Sequence, residues 1–151
     1  MAFTRQDLPT LDRTVFNPAS GLQRGAYVLA DMGDKKPELI LMASGSEVAL
    51  IIKAGLALVR EGINVRLVSF PSWELFAAQD KTYQDSVLLP NVKARLAVEA
   101  GISQGWEKWV GDHGALLMVD RYGASAPYKV MFEKYGFTVE HAVELARQLL
   151  G

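Results

Sequence analysis

The fold is decided by the segment ELILMASGSEVALIIKAGLALVREGINVRLVS, residues 38–69. It contains a short apolar run (38–43), a turn of serine and glycine, a longer apolar run and a second short one (64–69). Apolar runs of about four to eight residues are typical of buried strands, and a longer run after a turn is typical of a helix. The segment therefore predicts a strand, a helix and another strand in that order.

The predicted helix carries a start signal and a stop signal. Ser44-Gly45-Ser46-Glu47 has the spacing of a capping box, in which Ser44 accepts from the Glu47 N–H and the Glu47 carboxylate accepts from the Ser44 N–H. We expect the helix to end near Arg60, with Gly62 as a left-handed C-cap. Its nearly continuous apolar surface predicts a core helix of a three-layer fold. The alternative is a helix that also contacts a partner subunit or domain.

The same alternation of short apolar runs and helical patterns continues on both sides of this segment. Further strand-length apolar runs occupy 26–30, 94–99 and 116–120, and helical patterns lie between and after them. Nearly continuous apolar strands that alternate with helices predict an α/β fold whose sheet is covered on both faces. Residues 1–24 show no sustained period, so we interpret them as a linker and expect residues 1–20 to pack poorly on the domain.

The C-terminal part of the chain predicts two more helices. A short helix is also predicted earlier in the chain, after the third strand. Thr138 is the expected N-cap of the last helix, which should pack on one side only. Its apolar positions follow the helical spacing: Val139, Ala142, Val143, Ala146, Leu149 and Leu150. A helix before it should start at 125–127 and end at Gly136, and a short helix should be capped by Ser72.

Composition excludes several classes of function. The formal net charge is −1, with Lys and Arg scattered, so no binding to nucleic acid or to an anionic membrane surface is expected. The chain has no cysteine, which excludes a disulfide scaffold, a thiolate zinc site and a cysteine nucleophile. No apolar stretch reaches membrane-spanning length, and the start is too polar for a signal peptide.

The residues that could carry chemistry are few. Of the two histidines, His113 lies in a predicted turn before the fifth strand, and His141 lies on the polar face of the last helix, where we expect exposure to solvent. They do not have metal-ligand spacing. Neither a nucleophile elbow nor a phosphate-binding loop of the Walker type is present. We prefer the interpretation that His113 is only part of a turn over a catalytic role for it.

One general site remains, because open α/β sheets bind ligands beyond the carboxyl ends of their strands. The free N–H groups at the helix start make Ser44, Gly45 and Ser46 a candidate anion site. The plainer interpretation, which we prefer, is a glycine turn between strand and helix. Glu99 ends another strand, and we favour a structural hydrogen bond to a neighbouring loop over a functional role.

An ordered set of motifs resembles transketolases over essentially the whole chain. It comprises TRQDLP (4–9), GAYVL (25–29), ASGSEV (43–48), VSFPS (68–72), VEAG (98–101), GASAP (123–127) and FEKYGFT (132–138). The related thiamine-dependent synthases and dehydrogenase β-components match the first and sixth of these less closely. The chain is therefore similar to the C-terminal domain of a transketolase, preceded at residues 1–24 by the end of the pyrimidine-binding domain and a linker. The domain itself would span residues 25–151.

The resemblance implies a fold and an activity. The fold is a three-layer α/β/α domain with a five-stranded, mostly parallel sheet whose first strand is antiparallel to the others. Transketolases transfer a two-carbon ketol unit from a ketose phosphate to an aldose phosphate, in the pentose phosphate pathway and the Calvin cycle. They act as dimers in the cytoplasm or the plastid stroma. Thiamine diphosphate and a divalent metal, Mg²⁺ or Ca²⁺, are held by the preceding domains.

Two further expectations follow from the resemblance. The expected partners of this segment are the remaining domains of the same enzyme and its dimer mate, and the segment alone should be inactive. Arg5 matches the family arginine that contacts the phosphate of the sugar substrate, and a guanidinium suits that role because it offers two parallel donors. An alternative from a different class is a freestanding module that binds an anionic effector or assembles with itself.

Overall fold

The computed structural model describes residues 7–121 and 128–151. Arg5 and the predicted helix start at 125–127 lie outside them. The described strands are β1 (Tyr27–Met32), β2 (Leu39–Ala43), β3 (Val65–Ser69), β4 (Ala94–Val98) and β5 (Ala115–Leu117). The described α-helices are α1 (Glu47–Arg60), α2 (Trp73–Ala77), α3 (Lys81–Val87), α4 (Glu107–Val110), α5 (Tyr128–Lys134) and α6 (Val139–Leu150).

The five strands form one mixed sheet in the order β1-β3-β2-β4-β5. Strand β2 pairs in parallel with β3 and β4, and β4 pairs in parallel with β5. Strand β1 is antiparallel to β3, with direct pairs such as Asp31 with Arg66. The expected five-stranded sheet with an antiparallel first strand is confirmed, although β5 is shorter than the run at 116–120 suggested.

Alternating side chains of the central strands enter two separate cores. In β2, Leu39 and Leu41 face a core shared with α1 and α6, whereas Ile40 and Met42 face a core built with α2, α3 and α4. All five residues of β2 are buried, as expected for a strand covered on both faces. The predicted three-layer α/β/α architecture is confirmed.

Helix α1 is a core helix, as its apolar sequence predicted. Leu50, Ile51 and Leu58 are buried against the sheet and α6, while Leu56 on the outer side is 44% exposed. Gly62 adopts a φ of 86°, and the N–H of Ile63 donates to the Leu58 carbonyl at 3.1 Å, which closes the helix at the predicted C-cap. Contact of α1 with a partner subunit or domain stays a prediction.

The caps predicted for α2 and α6 are also confirmed. Ser72 Oγ accepts from the N–H of Leu75 at 3.3 Å, and Thr138 Oγ1 accepts from the N–H of His141 at 3.2 Å. Helix α6 packs on one side, with Ala142 and Ala146 fully buried. Helix α5 ends as expected before Gly136, whose φ is 78°.

The N-terminal segment packs more closely than its sequence suggested. Leu11 and Phe16 pack against the α1–α6 core, and residues Ala19–Arg24 form a 3-10 helix. Asn17 donates its main-chain N–H to the Leu29 carbonyl at 2.8 Å and its side-chain amide to the Val28 carbonyl at 2.9 Å. The expectation of poor packing over residues 1–20 is therefore wrong for Leu11, Phe16 and Asn17, whereas the other residues from 7 to 20 are exposed, in line with it. The physical reason is that edge strand β1 has carbonyls that need partners, and local sequence does not reveal them.

Among residues 7–121 and 128–151, no helix combines the length and the apolar character needed to cross a bilayer.

Candidate functional site at the carboxyl edge of the sheet

The sheet has a topological switch point between β2 and β4. These neighbours are parallel, but α1, which follows β2, packs on one face, and α4, which follows β4, packs on the other. Divergent connections leave a crevice at the carboxyl ends of the two strands, where open α/β sheets bind ligands. The residues that enter it first are Ser44 after β2 and Glu99 after β4. We call this the switch-point crevice.

A short hydrogen bond spans the switch-point crevice. Ser44 Oγ donates to Glu99 Oε2 at 2.6 Å. Glu99 is partly buried. The preferred interpretation of Glu99, a structural bond to a neighbouring loop, is confirmed.

The capping box predicted at 44–47 is wrong. Helix α1 begins at Glu47, and its N-cap, Ser46, has helical dihedral angles and accepts no side-chain capping bond. The Glu47 N–H instead donates to the main-chain carbonyl of Ser44 at 3.2 Å. The reason is the neighbouring carboxylate: the Ser44 hydroxyl donates to Glu99, and hydrogen bonds to charged acceptors are stronger than those between neutral groups.

The side chain of Glu47 turns into the protein rather than back toward Ser44. Glu47 is only 3% exposed, and its Oε1 accepts from Ser46 Oγ at 2.9 Å. Burial raises the pKa of Glu47, and the nearby charge of Glu99 raises it further, whereas the bonds from Ser46 and from its own N–H oppose the shift. Sequence reasoning placed Glu47 in a cap and missed its burial. No local signal distinguishes the two positions.

Burial also raises the pKa of Glu99, although the hydroxyl and the main-chain N–H of Ser44 oppose the shift. Glu99 lines the switch-point crevice, whereas Glu47 is buried beside it, and burial raises the pKa of both carboxyl groups. Both serine hydroxyls of the candidate anion site donate to these carboxylates, and two acidic groups oppose the binding of an anion. The anion site at Ser44, Gly45 and Ser46 stays a prediction, which now depends on main-chain N–H groups because both serine hydroxyls donate to carboxylates.

An aromatic wall borders the switch-point crevice, which has a volume of about 350 Å³. Trp73 and Trp106 stand edge to face with ring centroids 5.3 Å apart, and Trp106 is 2% exposed. Ile102 lies at the mouth and is 60% exposed. The sequence did not predict these residues at the site, because the tryptophans lie at the starts of two separate helices, α2 and α4, that only the folded sheet brings together.

The histidines lie away from the switch-point crevice. His113 is exposed in the predicted turn before β5. His141 is partly buried, and its Nδ1 lies 2.9 Å from the carbonyl of Gly136, so the expected solvent exposure is wrong. The reason is that the turn joining α5 to α6 folds back over the first turn of α6. In the described part of the chain, no group of three His, Cys, Asp or Glu residues could hold a metal ion.

Comparison with known proteins identifies the architecture. A family model described as "Transketolase-like TK C-terminal domain" matches residues 25–138. The chain belongs to the transketolase C-terminal domain family. A transketolase from Geobacillus stearothermophilus is 48% identical over 151 residues, which cover 100% of this chain and 23% of that protein. A chloroplastic transketolase from Craterostigma plantagineum is 45% identical over 99% of this chain and 28% of that protein.

Solved transketolases share the fold. A transketolase from Pichia stipitis in complex with sedoheptulose 7-phosphate superposes with a TM-score of 0.83 and 32% identity, over 96% of this chain and 20% of that chain. This transketolase C-terminal domain therefore spans between about a fifth and just over a quarter of the length of these relatives. The division at residues 24 and 25 stays a prediction.

Proposed function

We propose that this chain is the C-terminal part of a transketolase whose complete chain transfers a two-carbon ketol unit from a ketose phosphate to an aldose phosphate. The observation that supports it is the alignment with a transketolase over all 151 residues at 48% identity, while only 23% of that enzyme is covered. Because the similarity covers the whole of this chain, it favours a role as part of a larger enzyme over a role as an independent protein.

In this proposal the segment supports the enzyme's structure and is inactive alone. The described residues do not fit a metal–diphosphate site, because no suitable group of ligands occurs among them. We therefore assign no step of the reaction to this chain. Thiamine diphosphate and Mg²⁺ or Ca²⁺ would be held by the remaining domains and the dimer mate, and sugar phosphates would bind there as well.

Arg5 is the one residue that we propose to reach the substrate. It lies in TRQDLP, at the junction with the preceding domain, and it would contact the phosphate of the sugar. A guanidinium stays charged at working pH and matches two phosphate oxygens with parallel donors. The Pichia stipitis transketolase was solved in complex with sedoheptulose 7-phosphate, which supports a substrate of this class.

The proposed compartment is the cytoplasm or the plastid stroma. One relative at 45% identity is named as chloroplastic, which supports the Calvin cycle as one setting beside the pentose phosphate pathway. We propose no nucleic-acid or membrane partner.

A chimera tests the proposal. This chain replaces the corresponding C-terminal segment of the Geobacillus stearothermophilus enzyme, and ketol transfer between sugar phosphates is measured. We expect the chimera to fold and to transfer ketol units. A chimera that is folded and dimeric yet does not transfer them contradicts the proposal.

Arg5 is tested in the same chimera with Arg5→Gln, against Arg13→Gln as the control. Arg13 is exposed and lies in the same N-terminal segment. Loss of a charged phosphate contact should raise KM for a phosphorylated ketose about tenfold or more and leave a non-phosphorylated donor unaffected. Equal effects on both donors, or from both substitutions, contradict the assignment.

A further inference from the structure

A second cavity lies on the α2–α4 side of the sheet, near the amino end of β4. Its volume is about 290 Å³. Four cationic side chains line it, and Phe76 and Trp109 form an aromatic floor; the cations are Lys81, Lys93, Arg95 and Lys108. We call this cavity the basic pocket. It is lined by none of the residues of the switch-point crevice.

Arg95 supplies the fixed charge of the basic pocket. It is the second residue of β4, and its guanidinium donates only to main-chain carbonyls, at distances of 2.9 to 3.2 Å. The acceptors are the carbonyls of Leu88, Leu89, Val92 and Trp109. These bonds hold Arg95 in place but do not neutralise its positive charge.

The charge of Arg66, in contrast, is neutralised by an ion pair. Arg66 occupies the matching second position of β3 and also donates to carbonyls at the end of α3, at Ser86 and Val87. Unlike Arg95, it forms a bidentate ion pair, with both contacts to Asp31 at 2.7 Å. Among the described residues, no carboxylate lies within ion-pair distance of Arg95.

The lysines add to this unbalanced charge. Lys81 pairs with Asp85, the one carboxylate that lines the basic pocket and one that also attracts Arg95. Lys93 and Lys108 are exposed and form no ion pair within the described residues, although the Lys108 ammonium lies 4.6 Å from the ring centroid of Trp109. Four cations and one carboxylate leave a formal charge of +3 around a small cavity.

We propose that the basic pocket binds the phosphate group of a small phosphorylated metabolite. Lys93 and Lys108 would donate to the phosphate oxygens, while Arg95 would contribute a fixed positive charge behind them. Of the two aromatic residues, only Trp109 would contact the organic part of the ligand, because Phe76 is fully buried. A +3 lining with only one acidic group disfavours cations and neutral ligands, and the cavity is too small for a macromolecule. This site is separate from the proposed transfer of ketol units and does not depend on it.

Calorimetry and heteronuclear NMR on this chain test the proposal. The probes are inorganic pyrophosphate, ribose 5-phosphate and AMP, each at constant ionic strength. We expect saturable binding of at least one probe and a shift of the Trp109 indole N–H resonance. Lys93→Gln combined with Lys108→Gln should weaken binding about tenfold or more, since two charged contacts are lost. Lys36→Gln combined with Lys53→Gln is the charge-matched control, with both lysines exposed and outside the basic pocket.

The three probes also identify the source of the phosphate. Tighter binding of ribose 5-phosphate supports a sugar phosphate, tighter binding of AMP supports a nucleotide, and equal binding of all three supports recognition of phosphate alone. Absence of saturable binding with every probe overturns the proposal. It is equally overturned if the control pair weakens binding as much as the pocket pair, or if the resonances that shift lie elsewhere. Arg95 is left intact because it supports the ends of α3 and α4.

Discussion

Ser44 Oγ and Glu99 Oε2 lie 2.6 Å apart and join the loops that follow β2 and β4 across the switch point of the sheet. The bond withdraws the Ser44 hydroxyl from the start of α1 and leaves Glu47 to turn inward. In a sheet of this kind the position is the usual ligand site, yet here protein groups satisfy one another. The Ser44–Glu99 bond therefore joins the two halves of the sheet.

The first prediction concerns the pH dependence of stability. Burial raises the folded-state pKa of Glu47 above its ordinary value of 4.5. Its protonated form therefore contributes stability that is fully present below 4.5 and is lost as pH rises through the raised value. Glu47→Gln keeps an acceptor for Ser46 and carries no charge, so its advantage over wild type should grow with pH. Urea denaturation across this range measures the difference.

The matched control for this prediction is Glu140→Gln in the first turn of α6. Glu140 is exposed in the folded chain, so its replacement removes the same charge without changing a buried site. If the advantage of Glu47→Gln over wild type does not grow with pH, Glu47 is not buried as described.

A second prediction compares the two members of the Arg66–Asp31 pair. The Arg66 side chain is 11% exposed and also holds two carbonyls, whereas Asp31 is 44% exposed. Arg66→Met should cost about 3 kcal/mol of unfolding free energy, because it leaves buried acceptors unpaired. Asp31→Asn should cost about 1 kcal/mol, since water can replace much of its contribution. Chemical denaturation at neutral pH measures both, and a reversed order would contradict this account.

A third prediction compares two glycines with the same left-handed backbone. Gly25 has a φ of 85° and Gly62 a φ of 86°, but a Cβ at Gly25 would lie 2.3 Å from the Phe76 nitrogen, whereas none of the described atoms lies within 4 Å of one at Gly62. Gly62→Ala should cost about 1 kcal/mol, from conformation alone. Gly25→Ala should cost about 3 kcal/mol or more, because the clash is with backbone. Similar costs, measured by thermal denaturation, would refute the described packing of residue 25 on α2.

A fourth prediction concerns amide exchange in the N-terminal segment. The Asn17 N–H donates to the Leu29 carbonyl of β1, whereas Thr10 is exposed and its N–H has no acceptor among the described residues. The Asn17 amide should therefore exchange about tenfold or more slowly than the Thr10 amide, each relative to its unstructured rate. Exchange followed by NMR distinguishes them. Equal rates would mean that residues 7–17 do not pack on the domain.

Local signals in the sequence predicted much of the fold. Short apolar runs that alternate with helical patterns located the five strands. The sequence also correctly assigned two N-caps, Ser72 and Thr138, and the C-cap Gly62. Each of these depends on residues within about one helical turn, so a linear sequence contains the information.

The candidate site could be predicted only in outline. Glu99 was expected to bond to a loop, but the sequence does not show that this loop contains Ser44, because the two meet only when β2 and β4 pair. The failure of the capping box follows from the same long-range contact. The bonds from Asn17 to β1 and from Arg66 to Asp31 were missed for this reason as well.

The most direct test of the central claim is ketol transfer by the purified chain. The chain is mixed with thiamine diphosphate, Mg²⁺, a ketose phosphate donor and an aldose phosphate acceptor, beside an intact transketolase as the positive control. We expect no transfer of a two-carbon unit by this chain. Transfer of a two-carbon unit by this chain, with no other protein present, would contradict it.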